Sequence, residues 1–455
     1  MEKKSYQIDM VNGPILKKML LFAVPLMFSS ILQLLFNAAD IVVVGRFAGD
    51  NSLAAVGSTG SLINLMTNVF LGLSVGGNVL AARDYGAGDE KELSKTVHTA
   101  MFLSLLSGVA LTIIGVIFAP QLLELMQTPE NILLLAATYL RIYFMGMTAM
   151  MVYNFGSALL RSIGDTKRPL YYLVFAGVVN VVLNLIFVIY LQMDVAGVGL
   201  ATVISQFVSA MLVVRCLMRE QGGIRLIPSK LCLHREKLAQ IVRVGLPAGF
   251  QGAVFSLSNV VIQSSVNLFG ETVVAGNSAA SNLEGFVYVA MNSFHQAAIS
   301  FTSQNIGAGK RERVGKILLV AELSVLVTGV SLGWLMYAFG RSLLGIYSGS
   351  EAVIDAGMVR LTIILLPYAL CGMMDVAVGV LRGIGYSLGP MVISLIGACG
   401  LRLVWIATIF QVPQFHTIST VYLSYPITWT ITFLSQLMLY LYAARKMKRL
   451  YHANN

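Results

Sequence analysis

Long apolar runs broken by short polar stops fill this chain, and their length carries the first inference. Twelve such runs can be marked, near residues 19–44, 53–80, 96–118, 132–160, 169–191, 195–219, 238–269, 273–303, 315–339, 352–382, 388–412 and 417–444. A bilayer core about 30 Å thick takes roughly 20 residues of helix at 1.5 Å each, so every run is long enough to cross one. The pattern predicts an all-α polytopic membrane protein with twelve transmembrane helices and short loops.

Composition points the same way. Of 455 residues, 57% are hydrophobic and 11% charged, against about 25% charged in an ordinary soluble chain. The first run follows the basic stretch MEKKSYQIDMVNGPILKK, but it is too long for a signal peptide and lacks a small-residue cleavage site, so it is read as a retained span. The four cysteines, Cys216, Cys232, Cys371 and Cys399, fall at no metal-ligand spacing; neither a disulfide framework nor a structural metal is expected. The chain carries no P-loop, nucleophile elbow or paired ligand motif, so it is not expected to be an enzyme, to hydrolyse ATP or to hold a cofactor.

Charge distribution adds orientation. With the loops on alternating sides, twenty-six Lys and Arg fall on one face and two, Arg46 and Arg341, on the other, while Arg141, Arg360 and Arg402 lie inside spans. The positive-inside rule then sets both termini in the cytoplasm. A net charge of +10 follows from this topology facing anionic lipid, and no nucleic-acid partner is needed.

The runs also repeat. A shift of about 221 residues lays LLRSIGDTKRP (159–169) on VLRGIGYSLGP (380–390) and YGAGDEKEL (85–93) on IGAGKRERV (306–314), and brings AVPL around Pro25 within one residue of GLPA around Pro247. The chain reads as two homologous six-helix bundles: an N-lobe over 1–220, a cytoplasmic connecting loop over 221–237 and a C-lobe over 238–455. An even number of spans gives both copies the same topology. A pseudo-two-fold along the membrane normal is therefore expected, with a central cleft that faces either side in turn. The GAG glycines suit left-handed helix stops, and RSIGDTKRP reads as a helix end, a glycine turn and a proline restart.

Ionisable groups at membrane depth are costly and mark candidate sites. Asp40, Glu284 and Asp375 lie well inside spans, Glu322 is shallower, and His295 and Arg402 join them. Asp40 has no obvious basic partner in the first six spans, so it is a candidate for reversible protonation or, with oxygen ligands around it, for a small cation. Counting along the helices places Asp40 roughly 6 to 9 Å from the outer ends and Asn184 and Thr202 roughly 10 Å, with Asn180 one turn deeper on the Asn184 face. Four oxygen-bearing side chains from three helices can meet there. No metal is assigned with certainty, and sodium at Asp40, Asn180, Asn184 and Thr202 stays open beside a proton. Gln33 and Asn37 share the Asp40 face and extend the polar stripe. The alternative is interhelical hydrogen bonding for packing alone. In the second half, Glu284, Asp375 and Arg402 read either as a buried ion pair or as a binding element, and Asn154 is the first-half counterpart of Asp375.

The two six-helix repeats, the first span PLMFSSILQLLFNAADIVVVGRFAG, the paired GAG segments and the paired LLRSIGDTKRP and VLRGIGYSLGP motifs resemble the multidrug and toxic compound extrusion (MATE) family from about Gly13 to Lys448. The resemblance implies a V-shaped pair of lobes and a cation-coupled antiporter that exports amphipathic, often cationic organic compounds. It implies coupling roles for Asp40 and Asn180. In similar prokaryotic members the second position of span 5 is a carboxylate where this chain has Asn184, which shifts the expectation from sodium toward a proton. Many members also carry a glutamate on span 7, and LPAGFQGAVFSLSN has none. Gln33, Asn37, Asn154, Glu284, Asp375 and Arg402 are then candidates to line the substrate cleft. The expected partners are small organic cations or drugs, the coupling cation and the lipid bilayer; the expected setting is the bacterial cytoplasmic membrane, with function as a monomer. The alternative on the same fold is a flippase or exporter of a lipid-linked or metabolite substrate, which would want more bases inside the spans than Arg141, Arg360 and Arg402 supply.

Overall fold

The computed structural model describes residues 6–453. The first five residues, whose two lysines enter the charge asymmetry, lie outside the described residues, as do Asn454 and Asn455. In chain order the helices are α1 (Ile15–Phe47), α2 (Asp50–Ala87), α3 (Glu90–Leu125), α4 (Glu130–Met145), α5 (Met147–Ser162), α6 (Lys167–Asn184), α7 (Asp194–Arg219), α8 (Arg235–Asn267), α9 (Glu271–Gly307), α10 (Arg313–Ala338), α11 (Gly340–Tyr347), α12 (Glu351–Arg360), α13 (Ala369–Ile384), α14 (Leu388–Ser394), α15 (Leu401–Ala407) and α16 (Ile418–Ala453). Each apolar run lies on one of these helices or on an interrupted set of them.

Among the described residues, nine helical stretches are long and apolar enough to cross a membrane, and the bent pairs α4–α5 (46°) and α12–α13 (42°) bring the number to eleven. The run outside that set is α9, 37 residues long, which carries Glu284 and His295 along with many small polar side chains. From Ala297 to Asn305 every residue of α9 is buried. A helix wrapped by protein has no need of an apolar surface all round.

The chain forms two compact units: one holds the chain through Asp9 with Phe28–Ala253, the other Met10–Met27 with the residues from Val254 onward. The expected lobes part at the connecting loop, whereas the units divide α1 and α8 within their length, shortly after Pro25 and Pro247. Proline removes a helical hydrogen bond and bends the helix, which frees each half to follow different neighbours. The first half of α1 is fixed to the second unit: Phe22 meets Phe301 edge-on at 5.8 Å, Asn305 Nδ2 donates to the Met10 carbonyl at 3.0 Å, and Arg313 Nη2 donates to the Gly13 carbonyl at 3.0 Å.

The first half of α8 is fixed to the first unit by glycine. A Cβ on Gly72 would fall 2.1 Å from the Gly249 nitrogen, and one on Gly76 would fall 2.2 Å from the Ile241 carbonyl oxygen. Gly72 and Gly76 on α2, with Gly245 and Gly249 on α8, make two small-xxx-small faces on which backbones touch. Lys237 then closes the end of the contact, 2.8 Å from Asp84 and 3.0 Å from Glu92.

The sequence repeat reappears in the backbone. Gly49 and Gly270 have φ of 90° and 86°, Gly88 and Gly309 71° and 74°, Gly164 and Gly385 88° and 108°. All three pairs are one repeat apart, and this left-handed region disfavours residues with a Cβ. In RSIGDTKRP, Asp165 accepts from the Lys167 and Arg168 backbone nitrogens at 3.2 and 3.1 Å and so opens α6. Arg168 in turn pairs with Asp165 and with Glu220, the residue that follows α7.

Candidate functional site

In the first unit, α1, α6 and α7 bring the four expected oxygen-bearing side chains together. Asn184 Nδ2 donates to the Asp40 carboxylate and lies 3.3 Å from Asn180 Oδ1. Asn180 Nδ2 reaches Thr202 Oγ1 at 3.4 Å, and the Thr202 hydroxyl donates to the Val198 carbonyl at 3.0 Å on its own helix. Asn180 and Asn184 are buried, while Asp40 is half-buried. Asn184 Oδ1 is buried and has no hydrogen-bond partner among the described residues. The ring therefore holds one carboxylate, neutral oxygens and an unsatisfied acceptor. No ion pair joins Asp40 to a base among the described residues; Arg141, the one base within the first six spans, is exposed and donates to the Val116 carbonyl at 3.2 Å.

Close helix approach sets this geometry. A Cβ on Gly177 would fall 1.9 Å from the Phe36 ring, so glycine lets α1 lie against α6. Phe36 is one turn before Asp40, and Gly177 is one and two turns before Asn180 and Asn184. A further layer is not anticipated by the sequence patterns above. Tyr139 and Tyr143 on α4 stand within electrostatic reach of Asp40, and Gln206, one turn past Thr202, keeps its Oε1 buried without a partner. Gly146, at the α4–α5 bend, leaves the room that Gln206 fills, since a Cβ there would sit 2.3 Å from Gln206 Oε1. The i, i+4 spacings Tyr139/Tyr143 and Thr202/Gln206 were the available signal.

The remaining first-unit candidates stand apart from the ring. Gln33 and Asn37 are exposed on α1. Asn154 turns its amide onto its own helix, with Nδ2 at 2.8 Å from the Met150 carbonyl.

In the second unit the charges pair differently from the grouping of Glu284 and Asp375 around Arg402. Arg360 grips Glu284 through two bonds, Nε to Oε1 at 2.8 Å and Nη2 to Oε2 at 2.7 Å, and its Nη1 donates to Asn277 Oδ1 at 2.7 Å. This fork-on-fork geometry suits guanidinium and carboxylate. Tyr422 donates to the same Asn277 oxygen at 3.1 Å, and Asn277 Nδ2 donates to Gln263 at 3.0 Å. Arg402 bonds neither acid: its guanidinium carbon lies 3.9 Å from the Tyr425 ring centroid and Nη2 reaches Thr428 at 3.3 Å. Asp375, half-buried, accepts from the Tyr288 hydroxyl at 3.3 Å, and its carbonyl takes the His295 Nδ1 proton at 2.5 Å. Both carboxyl oxygens of Glu322 are buried without a partner among the described residues.

Three π-helical turns border these groups. Leu185–Tyr190 begins after Asn184, Leu361–Leu365 begins after Arg360, and Leu395–Gly400 ends two residues before Arg402. Such turns shift the register of a helix and gather at functional positions. Among the described residues, no group of three His, Cys, Asp or Glu side chains is arranged to hold a metal, so any metal cation at Asp40 would rest on one carboxylate and neutral oxygens.

Comparison with known proteins completes the description. The family model MatE matches residues 25–186 and 247–408, one segment in each repeat. The chain is 29% identical over 425 residues to the probable multidrug resistance protein YoeA of Bacillus subtilis, covering 92% of each. It is 26% identical over 395 residues to the probable multidrug resistance protein NorM of Thermotoga maritima, covering 85% of this chain and 84% of that one. A solved structure described as an outward-facing multidrug resistance MATE family transporter of the MOP superfamily superposes with a TM-score of 0.91 at 22% identity, over 98% of this chain and 100% of that one. With apolar helices in two repeats and a family match through both of them, this multi-pass membrane protein belongs to the multidrug and toxic compound extrusion (MATE) family of transporters.

Proposed function

We propose that the protein exports amphipathic, often cationic organic compounds by alternating access, driven by a proton that binds Asp40. The observation that carries this reading is the Asp40 ring: a carboxylate at membrane depth, bonded by Asn184, with no base paired to it among the described residues. A carboxylate so placed has only proton uptake, or a bound cation, to relieve its charge. Here Asn184 turns an N–H toward Asp40, a donor where a metal ion would want an acceptor.

Protonation removes the reason for the Asn184 N–H to face Asp40 and so loosens the tie between α1 and α6. Coupling requires only that proton and compound favour different conformations, since a ligand shifts an equilibrium by its differential affinity. Of the two second-unit acids expected in the cleft, Glu284 is occupied by Arg360, which leaves Asp375, held by one long hydroxyl bond, to meet a cationic compound. The names of the relatives in Bacillus subtilis and Thermotoga maritima support drug export. The charge asymmetry supports a cytoplasmic-membrane location with both termini inside.

A sodium reading has its own observation, the unsatisfied Asn184 Oδ1 beside Asn180, Thr202 and Asp40. Turning the Asn184 amide over would offer that oxygen to a cation. Dye efflux from proteoliposomes under separate pH and sodium gradients distinguishes the two. Proton coupling predicts efflux driven by the pH gradient in sodium-free buffer and lost in Asp40→Asn. Equal gradient-driven efflux from wild type and Asp40→Asn removes Asp40 from the mechanism.

A further inference from the structure

The segment between α7 and α8 folds back against the start of α3 and walls a cavity of about 680 Å³. Three bonds from loop backbone to α3 side chains hold this wall: Gly223 N to the Glu90 carboxylate, Ile227 N to His98 Nε2 at 3.0 Å and His234 N to Thr99 Oγ1 at 3.2 Å. Ile224 and Leu226 are buried beneath it. His98 Nδ1 lies 2.7 Å from the Ser94 carbonyl, which fixes the proton on Nδ1 and leaves Nε2 to accept from Ile227. The wall is thus built by the fold.

The lining is basic: Lys91 and Lys95 from α3, Arg225 and Lys230 from the connecting segment. Lys95 is neutralised by Glu92 at 2.7 Å. Lys91, Arg225 and Lys230 form no ion pair among the described residues, and the single acid of the lining, Glu90, already accepts from Gly223. Topology accounts for bases on this side of the membrane. It does not account for three unpaired cations turned around one cavity with an ordered wall. Ser94 adds a hydroxyl, and the exposed Cys232 thiol lies 3.2 Å from His234 Nε2 at the rim.

We propose that this cavity is a binding site for a phosphate-bearing ligand, either an anionic phospholipid headgroup or a soluble phosphorylated compound, separate from the Asp40 ring and independent of the export reading. Guanidinium and ammonium groups lining the cavity provide the donors a phosphate oxyanion needs. Nothing in the Asp40 chemistry uses this site.

Cys232 provides the readout, because the other three cysteines are buried. The full chain in phosphatidylcholine nanodiscs is alkylated with a neutral maleimide, with Cys232→Ser as the blank. Inorganic pyrophosphate is titrated at constant ionic strength, and in a second arm phosphatidylglycerol replaces part of the lipid. Saturable slowing by pyrophosphate identifies a soluble phosphate as the source; slowing by phosphatidylglycerol alone identifies the headgroup. The paired variant Arg225→Ala/Lys230→Ala should raise the half-protecting concentration about twenty-fivefold, from roughly a factor of five for each cation lost. Arg311→Ala/Lys446→Ala, the same charge loss away from the cavity, should leave it unchanged. Absence of protection in both arms, or an equal shift in the two paired variants, overturns the proposal.

Discussion

Removing one member of the Glu284–Arg360 pair tests what that pair is for. Arg360 is 7% exposed and Glu284 4%, and three guanidinium donors are used at 2.7 to 2.8 Å, two on Glu284 and one on Asn277. Glu284→Gln leaves the guanidinium buried without its counter-charge, which costs about 3–5 kcal/mol. At roughly 2–4 °C per kcal/mol for a unit of this size, the unfolding midpoint should fall by about 6–20 °C. The apolar double substitution Glu284→Leu/Arg360→Met removes both charges and should recover most of that loss. Trp334, Trp405 and Trp429 all lie in the second unit, so tryptophan fluorescence during thermal unfolding in detergent reports this unit alone. If Glu284→Gln unfolds within about 1 kcal/mol of wild type yet loses efflux, the pair is a transport element and the structural argument fails.

Other outcomes follow from the same geometry. Asn184→Asp adds a second carboxylate to the Asp40 ring and should make efflux respond to a sodium gradient; an unchanged response to sodium counts against the ring as a cation site. Gly177→Val drives a side chain into the Phe36 ring and should lower coupled efflux at least about tenfold while Gly60→Val, where a Cβ meets nothing within 4 Å, leaves it unchanged. Gly72→Val meets the Gly249 backbone and should abolish the monodisperse peak in size-exclusion chromatography, whereas Gly285→Val, in open space, should preserve it.

The Asp40 ring was legible because its terms are local. Loop positions and the 1.5 Å rise fix depth, and i, i+4 spacing fixes which residues share a face, so the sequence sets Asp40, Asn184 and Thr202 near one level with Asn180 one turn deeper on the Asn184 face. Depth alone fails where several charges share a level. Glu284, Asp375 and Arg402 looked like one group, yet the partner of Glu284 is Arg360, counted in the sequence only as a base within a span. Arg360 ends α12 directly before the π turn at Leu361–Leu365, and no apolar pattern reveals which way its side chain faces.

By itself, the sequence determined the number of apolar runs, their doubling and the left-handed GAG helix stops one repeat apart, because bilayer thickness, helix rise and backbone sterics act on each segment wherever its neighbours lie. Tertiary structure alone decided that α1 and α8 divide between the units and that glycine faces on α2 and α8 touch. It alone decided that α9 is enclosed by protein from Ala297 to Asn305 and that three cations line one cavity beside the connecting segment. These depend on how each helix is turned about its axis, and at 100° per residue a single π turn is enough to redirect every side chain beyond it.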